Sequence, residues 1–140
     1  MPIRIDWEGL IVAFESRSDQ ITHFFDRATG DVEQVLERDA ARHAEMSADA
    51  RYAALPRDGG ERTRGDLVEF LPHCEDEECR RRLAAALAGK DAASAYREAL
   101  LQHPKEEARF FQFKEHQALK RAQEWLAAEG IPFAKPLQEM

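Results

Sequence analysis

The stretch LPHCEDEECRRRL, residues 71–83, contains the residue types that most often do chemistry. His73 and Cys74 are adjacent, and a second cysteine, Cys79, follows after four acidic residues. Imidazole and thiolate groups are the usual ligands of zinc, and paired thiols can undergo redox chemistry. The stretch therefore has three interpretations: a metal site, a redox pair or the beginning of a helix.

The metal and redox interpretations each lack a required part. A structural zinc site needs four ligands, commonly in two spaced pairs, and this stretch supplies three. The remaining histidines that could approach it in the fold are His43, His103 and His116. We expect no metal, with His73, Cys74 and Cys79 as weak candidates. The cysteine spacing is not C-x-x-C, and carboxylates beside Cys74 raise the pKa of a thiol, so a redox pair is also disfavoured.

The helix interpretation accounts for more of the residues. Glu75, Asp76, Glu77 and Glu78 are predicted to occupy the first turn, where carboxylates interact favourably with the helix dipole. Acid-to-arginine pairs at i, i+4 stabilise exposed helices. The chain offers three such pairs: Asp76 with Arg80, Glu77 with Arg81, and Glu78 with Arg82. Cys79 begins an apolar stripe that continues to Leu83, so we expect it to be buried as a small hydrophobic residue. A structural role is the favoured interpretation.

A long final helix is predicted from Pro104 to about Ala128. At 100° per residue, its core side is predicted to comprise Ala108, Phe111, Ala118, Leu119, Ala122, Trp125 and Leu126. Glu115 falls in the middle of this side. It should therefore either pair with a buried base or mark an interruption of the stripe.

The candidate binding residues lie on the opposite side of this helix. They are Phe110, Phe113, Lys114, Gln117 and Arg121. Two aromatic rings beside two cations could stack the bases of a single-stranded nucleic acid or bind an acidic partner. The favoured alternative is that another helix or a second subunit covers both rings, because exposed phenylalanine pairs are uncommon.

The remaining elements predict an α+β fold. Asp6 can cap an N-terminal helix that begins at Trp7, and ITHFFDRATGDVEQVL reads as a β-hairpin whose loop contains Gly30. Asp26 can accept hydrogen bonds from the loop backbone, and RYAALP could add a third antiparallel strand that Pro56 ends. The stretch PRDGGERTRG is predicted to be an exposed loop. A cluster of about four helices follows.

We predict a single domain over residues 1–140. Residues 1–56 form the helix-plus-hairpin part, 57–130 the helical part and 131–140 a tail. No apolar run is long enough to span a membrane, and the start of the chain does not resemble a signal peptide. Two cysteines do not make a disulfide framework, so a reducing cytoplasm is expected.

Net charge is −7, which argues against a generally nucleic-acid-binding protein. Residues 1–78 hold 9 basic and 19 acidic side chains, whereas residues 79–140 hold 11 basic and 8 acidic ones. An acidic front and a mildly basic back can orient a partner.

Familiar catalytic motifs are missing, namely the G-x-S-x-G elbow, the phosphate-binding loop, H-E-x-x-H and G-x-G-x-x-G. We therefore interpret the chain as a non-catalytic interaction or regulatory module that needs no cofactor. Its partner would be another protein, or a second copy bound through the last helix. One alternative is single-stranded nucleic-acid binding by the aromatic–basic patch. Another is a metal-dependent hydrolase that uses Glu115 or the loop acids Asp26 and Asp31.

The chain resembles the uncharacterised, mainly bacterial protein family UPF0158. The resemblance rests, in order, on DWEGLIVAFE, FFDRATGDV, RYAALP, EDEECRRRLAAALAGK, FFQF and AQEWLAAEGI. It implies no established activity, so no catalytic residue is carried over. At the position of Cys79 the family pattern has a leucine-like residue, which agrees with burial. After Gly89 the family tends to an aromatic–basic run, of which this chain retains only Tyr96.

Overall fold

The computed structural model describes residues 3–16, 18–57 and 61–134. The predicted α+β class is confirmed, with an N-terminal helix, a three-stranded antiparallel sheet and a cluster of helices. The elements are α1 (Trp7–Glu15), β1 (Ile21–Asp26), β2 (Val32–Leu36), α2 (Ala40–Ala48), β3 (Tyr52–Ala54), α3 (Glu61–Phe70), a 3-10 turn (Leu71–His73), α4 (Glu77–Leu87), α5 (Ala92–Leu101) and α6 (Pro104–Ala128). Within the described part of the chain, no helix has the length and apolar character needed to cross a membrane.

The chain divides into two compact units. Unit 1 comprises Met1–Arg57 and Ala118–Met140, and unit 2 comprises Asp58–Gln117. The single-domain assignment over 1–140 stays a prediction. The two sequence halves of opposite charge do not coincide with these units, because the side chains of unit 1 sum to −4 (10 basic, 14 acidic) and those of unit 2 to −3 (10 basic, 13 acidic).

Unit 1 is organised around β1, the central strand of the order β2-β1-β3. Phe24 and Phe25 point to opposite faces of the sheet, and both are buried. Phe25 packs in a cluster with α1 and the second half of α6, while Phe24 packs with Val35 and Met46 on the other face. A strand with partners on both sides and apolar layers on both faces is therefore buried along nearly its whole length.

The hairpin loop is held by the carboxylate of Asp26. Asp26 Oδ1 accepts hydrogen bonds from the N–H groups of Ala28 and Thr29, and Arg51 binds both carboxylate oxygens at 2.8 Å. Gly30 has φ +83°, and a Cβ there would meet the carbonyl oxygen of Arg4 at 2.0 Å, so only glycine fits. The predicted roles of Asp26 and Gly30 in the hairpin are confirmed.

The N-terminal helix and the third strand are also confirmed, but two segments differ from expectation. Asp6 caps α1 by accepting from Gly9 N–H at 3.0 Å. Residues 40–48, whose periodicity is weak, form α2, which buries Met46 against the sheet. The loop predicted over PRDGGERTRG is wrong at residues 61–65, because α3 begins at Glu61; residues 58–60 lie outside the described part of the chain. A helix whose first turns are rich in charged residues has the composition of an exposed loop, so the sequence pattern predicted a loop.

Unit 2 packs its helices around one apolar cluster. The buried members are Leu67, Phe70, Cys74, Cys79, Leu83, Ala86, Tyr96, Leu100 and Phe110. The Tyr96 hydroxyl donates to the Leu67 carbonyl at 2.8 Å, which satisfies the polar atom of a fully buried ring. Tyr96, the one aromatic retained from the family run after Gly89, is thus a core residue.

The Asp26–Arg51 pair generates a stability prediction for unit 1. Asp26→Asn should lower the free energy of unfolding by about 1–3 kcal/mol, because a buried carboxylate that holds two N–H groups and a guanidinium is replaced by a weaker acceptor. Hydrogen bonds from Arg51 lower the pKa of Asp26 to about 2 despite its burial. Its contribution is therefore complete above the unfolded-state pKa near about 4 and is lost as pH falls towards 2. Chemical denaturation above and below this pH range measures the change, with the exposed Asp31→Asn variant as the control. Equal losses of unfolding free energy for the two variants would contradict the assignment.

Candidate functional site

The stretch from residue 71 to residue 83 forms a helix entry. Asp76 is the N-cap of α4 and accepts from Cys79 N–H at 2.8 Å, so the helix begins at Glu77. The expectation that Glu75 lies in the first turn is wrong, because Glu75 precedes the cap and pairs with Arg109 at 3.0 Å. Of the predicted i, i+4 pairs, Glu78–Arg82 forms at 3.5 Å. Asp76 and Arg80 have other partners: Asp76 caps the helix, and Arg80 donates to the Cys74 carbonyl at 3.2 Å.

Both thiols of this stretch are reduced and buried. Cys74 and Cys79 have exposed fractions of 1% and 0%, and each thiol is within hydrogen-bonding contact of the other. The Cys74 thiol donates to the Asp76 carbonyl at 3.5 Å. Burial raises the pKa of Cys74 and raises that of Cys79 to about 12. Because the thiolate is the reactive and metal-binding form, this environment suppresses cysteine chemistry.

His73 does not join the cysteines. Its side chain is exposed, and its ring lies 5.3 Å from that of Phe113. Among residues 3–16, 18–57 and 61–134, no three His, Cys, Asp or Glu side chains are grouped to hold a metal ion.

Glu106 is a buried acid that sequence reasoning missed. Its side chain is 3% exposed, and its Oε2 accepts from the N–H groups of Glu75 at 3.0 Å and Asp76 at 2.7 Å. Arg109 Nη1 forms an ion pair with Oε1 at 3.0 Å. Burial alone would raise the pKa of Glu106, but the Asp76 N–H, Arg109 and the Glu75 N–H together lower it. The carboxylate thus attaches the first turn of α6 to the entry of α4.

The candidate binding residues of the last helix are mostly covered. Phe110 is 7% exposed and packs edge-on against Phe70 and obliquely against Tyr96, with ring centroids 5.3 and 5.5 Å apart. Phe113 is half-buried, 5.7 Å from Phe70. Another part of the helical cluster therefore covers the Phe110 ring, which leaves it no open face for stacking.

The three polar members of that set lie in different surroundings. Lys114 is half-buried, and its ammonium lies 5.8 Å from the Phe110 ring and 5.9 Å from the Phe111 ring. Gln117 donates to Glu69 at 3.0 Å. Arg121 is half-buried in unit 1 and is engaged in an interaction with another group. A shared binding role for the five residues stays a prediction.

Phe111 is the exposed aromatic ring of this helix. The assignment of Ala108 and Phe111 to the core side is wrong, because Ala108 is exposed and Phe111 is 55% exposed. Glu115 on the same side is also exposed. Of the two interpretations of Glu115, the interrupted stripe therefore applies. A separate helical wheel for residues 104–117 would have placed Glu106, Phe110 and Phe113 together and Phe111 outside.

A polar cluster in unit 1 was not foreseen from sequence. The buried Thr22 hydroxyl donates to Glu37, accepts from Arg57 at 2.7 Å and lies 3.1 Å from His43 Nε2. The Thr22 hydroxyl and the charges of Arg57 and His43 lower the pKa of Glu37. A hydroxyl beside an imidazole resembles a nucleophile and its base. Here, however, the Thr22 hydroxyl is fully engaged, and the cluster connects β1, the residue after β2, α2 and the segment after β3.

Two of the carboxylates considered for a metal-dependent hydrolase have the following surroundings. Both oxygens of Asp26 bind Arg51, and Glu115 lies exposed on α6. The geometry therefore defines an α+β protein in which the buried carboxylates of Asp26 and Glu106 and the two thiols are engaged in hydrogen bonds and packing, while the Phe111 ring is exposed.

Comparison with known sequences places this protein in a family. A family model described as Uncharacterised protein family (UPF0158) matches residues 1–138, so the chain belongs to that family. The suspected resemblance is confirmed, and the family itself is uncharacterised. No curated protein and no solved structure matches the chain.

The environment of the two cysteines predicts that they resist modification in the folded protein. At neutral pH, iodoacetamide should leave Cys74 and Cys79 unmodified on a timescale at which denatured protein is fully alkylated, because both thiols are buried and protonated. Intact mass spectrometry of native and guanidinium-treated samples measures this difference. Rapid alkylation of either cysteine in the native protein would show that the thiol is accessible and reactive.

Glu106 generates a second prediction. Glu106→Gln should destabilise unit 2 by about 1–3 kcal/mol, since the amide accepts the Glu75 and Asp76 N–H groups less strongly and leaves Arg109 without its buried charge partner. Glu107→Gln, one residue along and only half-buried, is the matched control. Because the pKa of Glu106 is lowered, the difference between wild type and Glu106→Gln should shrink as pH falls below the usual glutamate pKa of about 4.3. A pH-independent difference in urea denaturation would contradict an ionised carboxylate.

Proposed function

We propose that this protein is a non-catalytic interaction module. Its contact surface is the exposed side of the first half of α6, named here the Phe111 surface and defined by Glu107, Ala108, Phe111, Lys114 and Glu115. The observation that carries the proposal is the 55% exposure of the Phe111 ring, directly beside a phenylalanine that the fold buries.

Covering the exposed ring would contribute free energy to binding. A phenylalanine side chain can bury roughly 150–250 Å². At about 25 cal/mol per Å², covering the exposed half of Phe111 would contribute on the order of 2 kcal/mol to binding. Aromatic side chains that become buried at the centre of an interface are typical of binding hot spots, and the rim of an interface is polar. Glu107, Lys114 and Glu115 supply such a rim, because residues three and four apart on a helix are neighbours.

The same rim favours a protein partner over a nucleic acid. Two of its three charges are carboxylates, which would repel phosphates on either side of a stacked base. Phe110 is covered, so the pair of stacking rings envisaged from sequence is reduced to one exposed ring. Net charge is −7, which adds long-range repulsion of nucleic acid. The partner is therefore a protein that offers an apolar contact for the ring with charged groups around it.

A reducing cytoplasm is the compartment that suits this module. Cys74 and Cys79 are both free, although their thiols are in contact. A pair of adjacent reduced thiols is typical of proteins that work among cellular reductants.

Site-specific photocrosslinking tests the proposal in cells. Benzoylphenylalanine in place of Phe111 should give discrete protein adducts on irradiation, because the ring would lie inside the partner's pocket. The same residue in place of Glu98, an exposed position of α5 in the same unit, is the control. Adducts that are equal at the two positions, or missing at Phe111, would contradict the proposed surface.

Matched alanine variants separate a contact surface from a core. Phe111→Ala should change the unfolding free energy by less than about 0.5 kcal/mol, whereas Phe110→Ala should cost about 3–5 kcal/mol. Fluorescence anisotropy with single-stranded RNA and DNA at low salt tests the nucleic-acid alternative. Tight binding that Phe111→Ala abolishes would replace the protein partner with a nucleic acid.

A further inference from the structure

The partner of the Phe111 surface can be named from the surface itself. We propose that it is the same surface of a second copy of this chain, with the first halves of two α6 helices packed antiparallel about a two-fold axis. This inference rests on the proposed function and specifies its partner.

The spacing of the exposed residues is that of a coiled-coil seam. Pro104, Ala108, Phe111 and Glu115 are separated by four, three and four positions, as are the a and d positions of a heptad. Glu107 and Lys114 then occupy the g positions on one flank. All six residues of the stretch lie within unit 2, and Pro104, Ala108, Phe111 and Glu115 are exposed. The stretch therefore offers a short helical seam with one large side chain, Phe111, and one small one, Ala108.

A two-fold axis makes this seam complementary to itself. In an isologous contact, residue i meets residue j of the second copy, and j meets i. With the axis midway between Ala108 and Phe111, each Phe111 ring packs over the second copy's Ala108, whose methyl group leaves room for it. The same register places each Lys114 beside the second copy's Glu107. It also brings each Glu115 towards the second copy's Lys105, so three favourable contacts occur twice.

The charges favour this orientation over the parallel one. Within the described part of the chain, Glu107, Lys114, Glu115 and Lys105 form no ion pair, so their charges are available to a partner. In a parallel pair, each g position faces an e position of the other helix. Those e positions include Gln112 and Leu119, which give Glu107 and Lys114 no opposite charge. Only the antiparallel pair uses the charges of this flank.

The dimer should be weak and sensitive to salt. Each copy contributes one aromatic ring and a short seam, which corresponds to the small end of specific interfaces, below about 1,200 Å². The flanking ion pairs are exposed and therefore screened at high ionic strength. We expect association to be visible at high protein concentration and low salt, and to weaken as salt is raised.

Charge reversal in the 140-residue chain tests the register. Sedimentation equilibrium of the wild type should show reversible dimers, and Phe111→Ala should abolish them. Glu107→Lys and Lys114→Glu should each weaken dimerisation at least about tenfold, since each places like charges across the axis. The double variant Glu107→Lys/Lys114→Glu restores both pairs with reversed sign and should dimerise as the wild type does. Circular dichroism and thermal melting confirm that each variant is folded.

The outcomes separate this inference from the proposed function. A wild type that stays monomeric at every concentration, while benzoylphenylalanine at position 111 captures other proteins, overturns self-pairing and leaves the interaction module in place. Adducts at twice the chain mass of 16.0 kDa support self-pairing. No adduct of any kind contradicts both. Dimerisation that is unchanged in all three charge variants would show that another surface forms the dimer.

Discussion

The ionised carboxylate of Glu106 is the constraint on which unit 2 depends. It reaches from the first turn of α6 to two backbone N–H groups at the entry of α4, and Arg109 balances its charge. This attachment fixes the rotation of α6, so Phe110, one turn further on, points into the core against Phe70 and Tyr96. Because neighbouring residues on a helix are about 100° apart, Phe111 is then directed outwards. The exposure of that ring therefore follows from a polar contact more than one turn away.

Unit 1 uses the same device around a different carboxylate. Asp26 accepts two backbone N–H groups of the hairpin loop and binds Arg51, as Glu106 accepts two N–H groups and pairs with Arg109. In both cases hydrogen bonds to the charged form outweigh burial and lower the carboxyl pKa. Each arginine is partly exposed, so the positive charge keeps part of its hydration while the acid loses it. A buried acid with a partly exposed base loses less hydration free energy than a fully buried pair.

Local signals in the sequence were sufficient for the elements that depend on local chemistry. The cap at Asp6, the positive φ of Gly30 and the ends of α6 were all predicted, because each is decided by residues within a few positions. The helix α2 was missed, since its alanine-rich, charged sequence buries only Met46 and its place is set by the sheet. Glu106 was also missed, because its partners are about 30 residues away in sequence and a glutamate in a first turn is ordinarily exposed.

The faces of α6 show where a single helical wheel fails. Residues buried in its first half are Glu106 and Phe110, whereas those buried in its second half include Ala118, Ala122 and Leu126, which lie on nearly the opposite side. One wheel over 25 residues averages the two halves and places Ala108 and Phe111 with the later core residues. The apolar spacing is real in both halves, but only unit 1 covers it. A stripe that serves as core in one half of a helix and remains open in the other can bind a partner without any special motif. This explains why the proposed contact surface reads as core in a single helical wheel, whereas Cys74 and Cys79, in a stretch that resembles a reactive site, pack in the apolar cluster of unit 2.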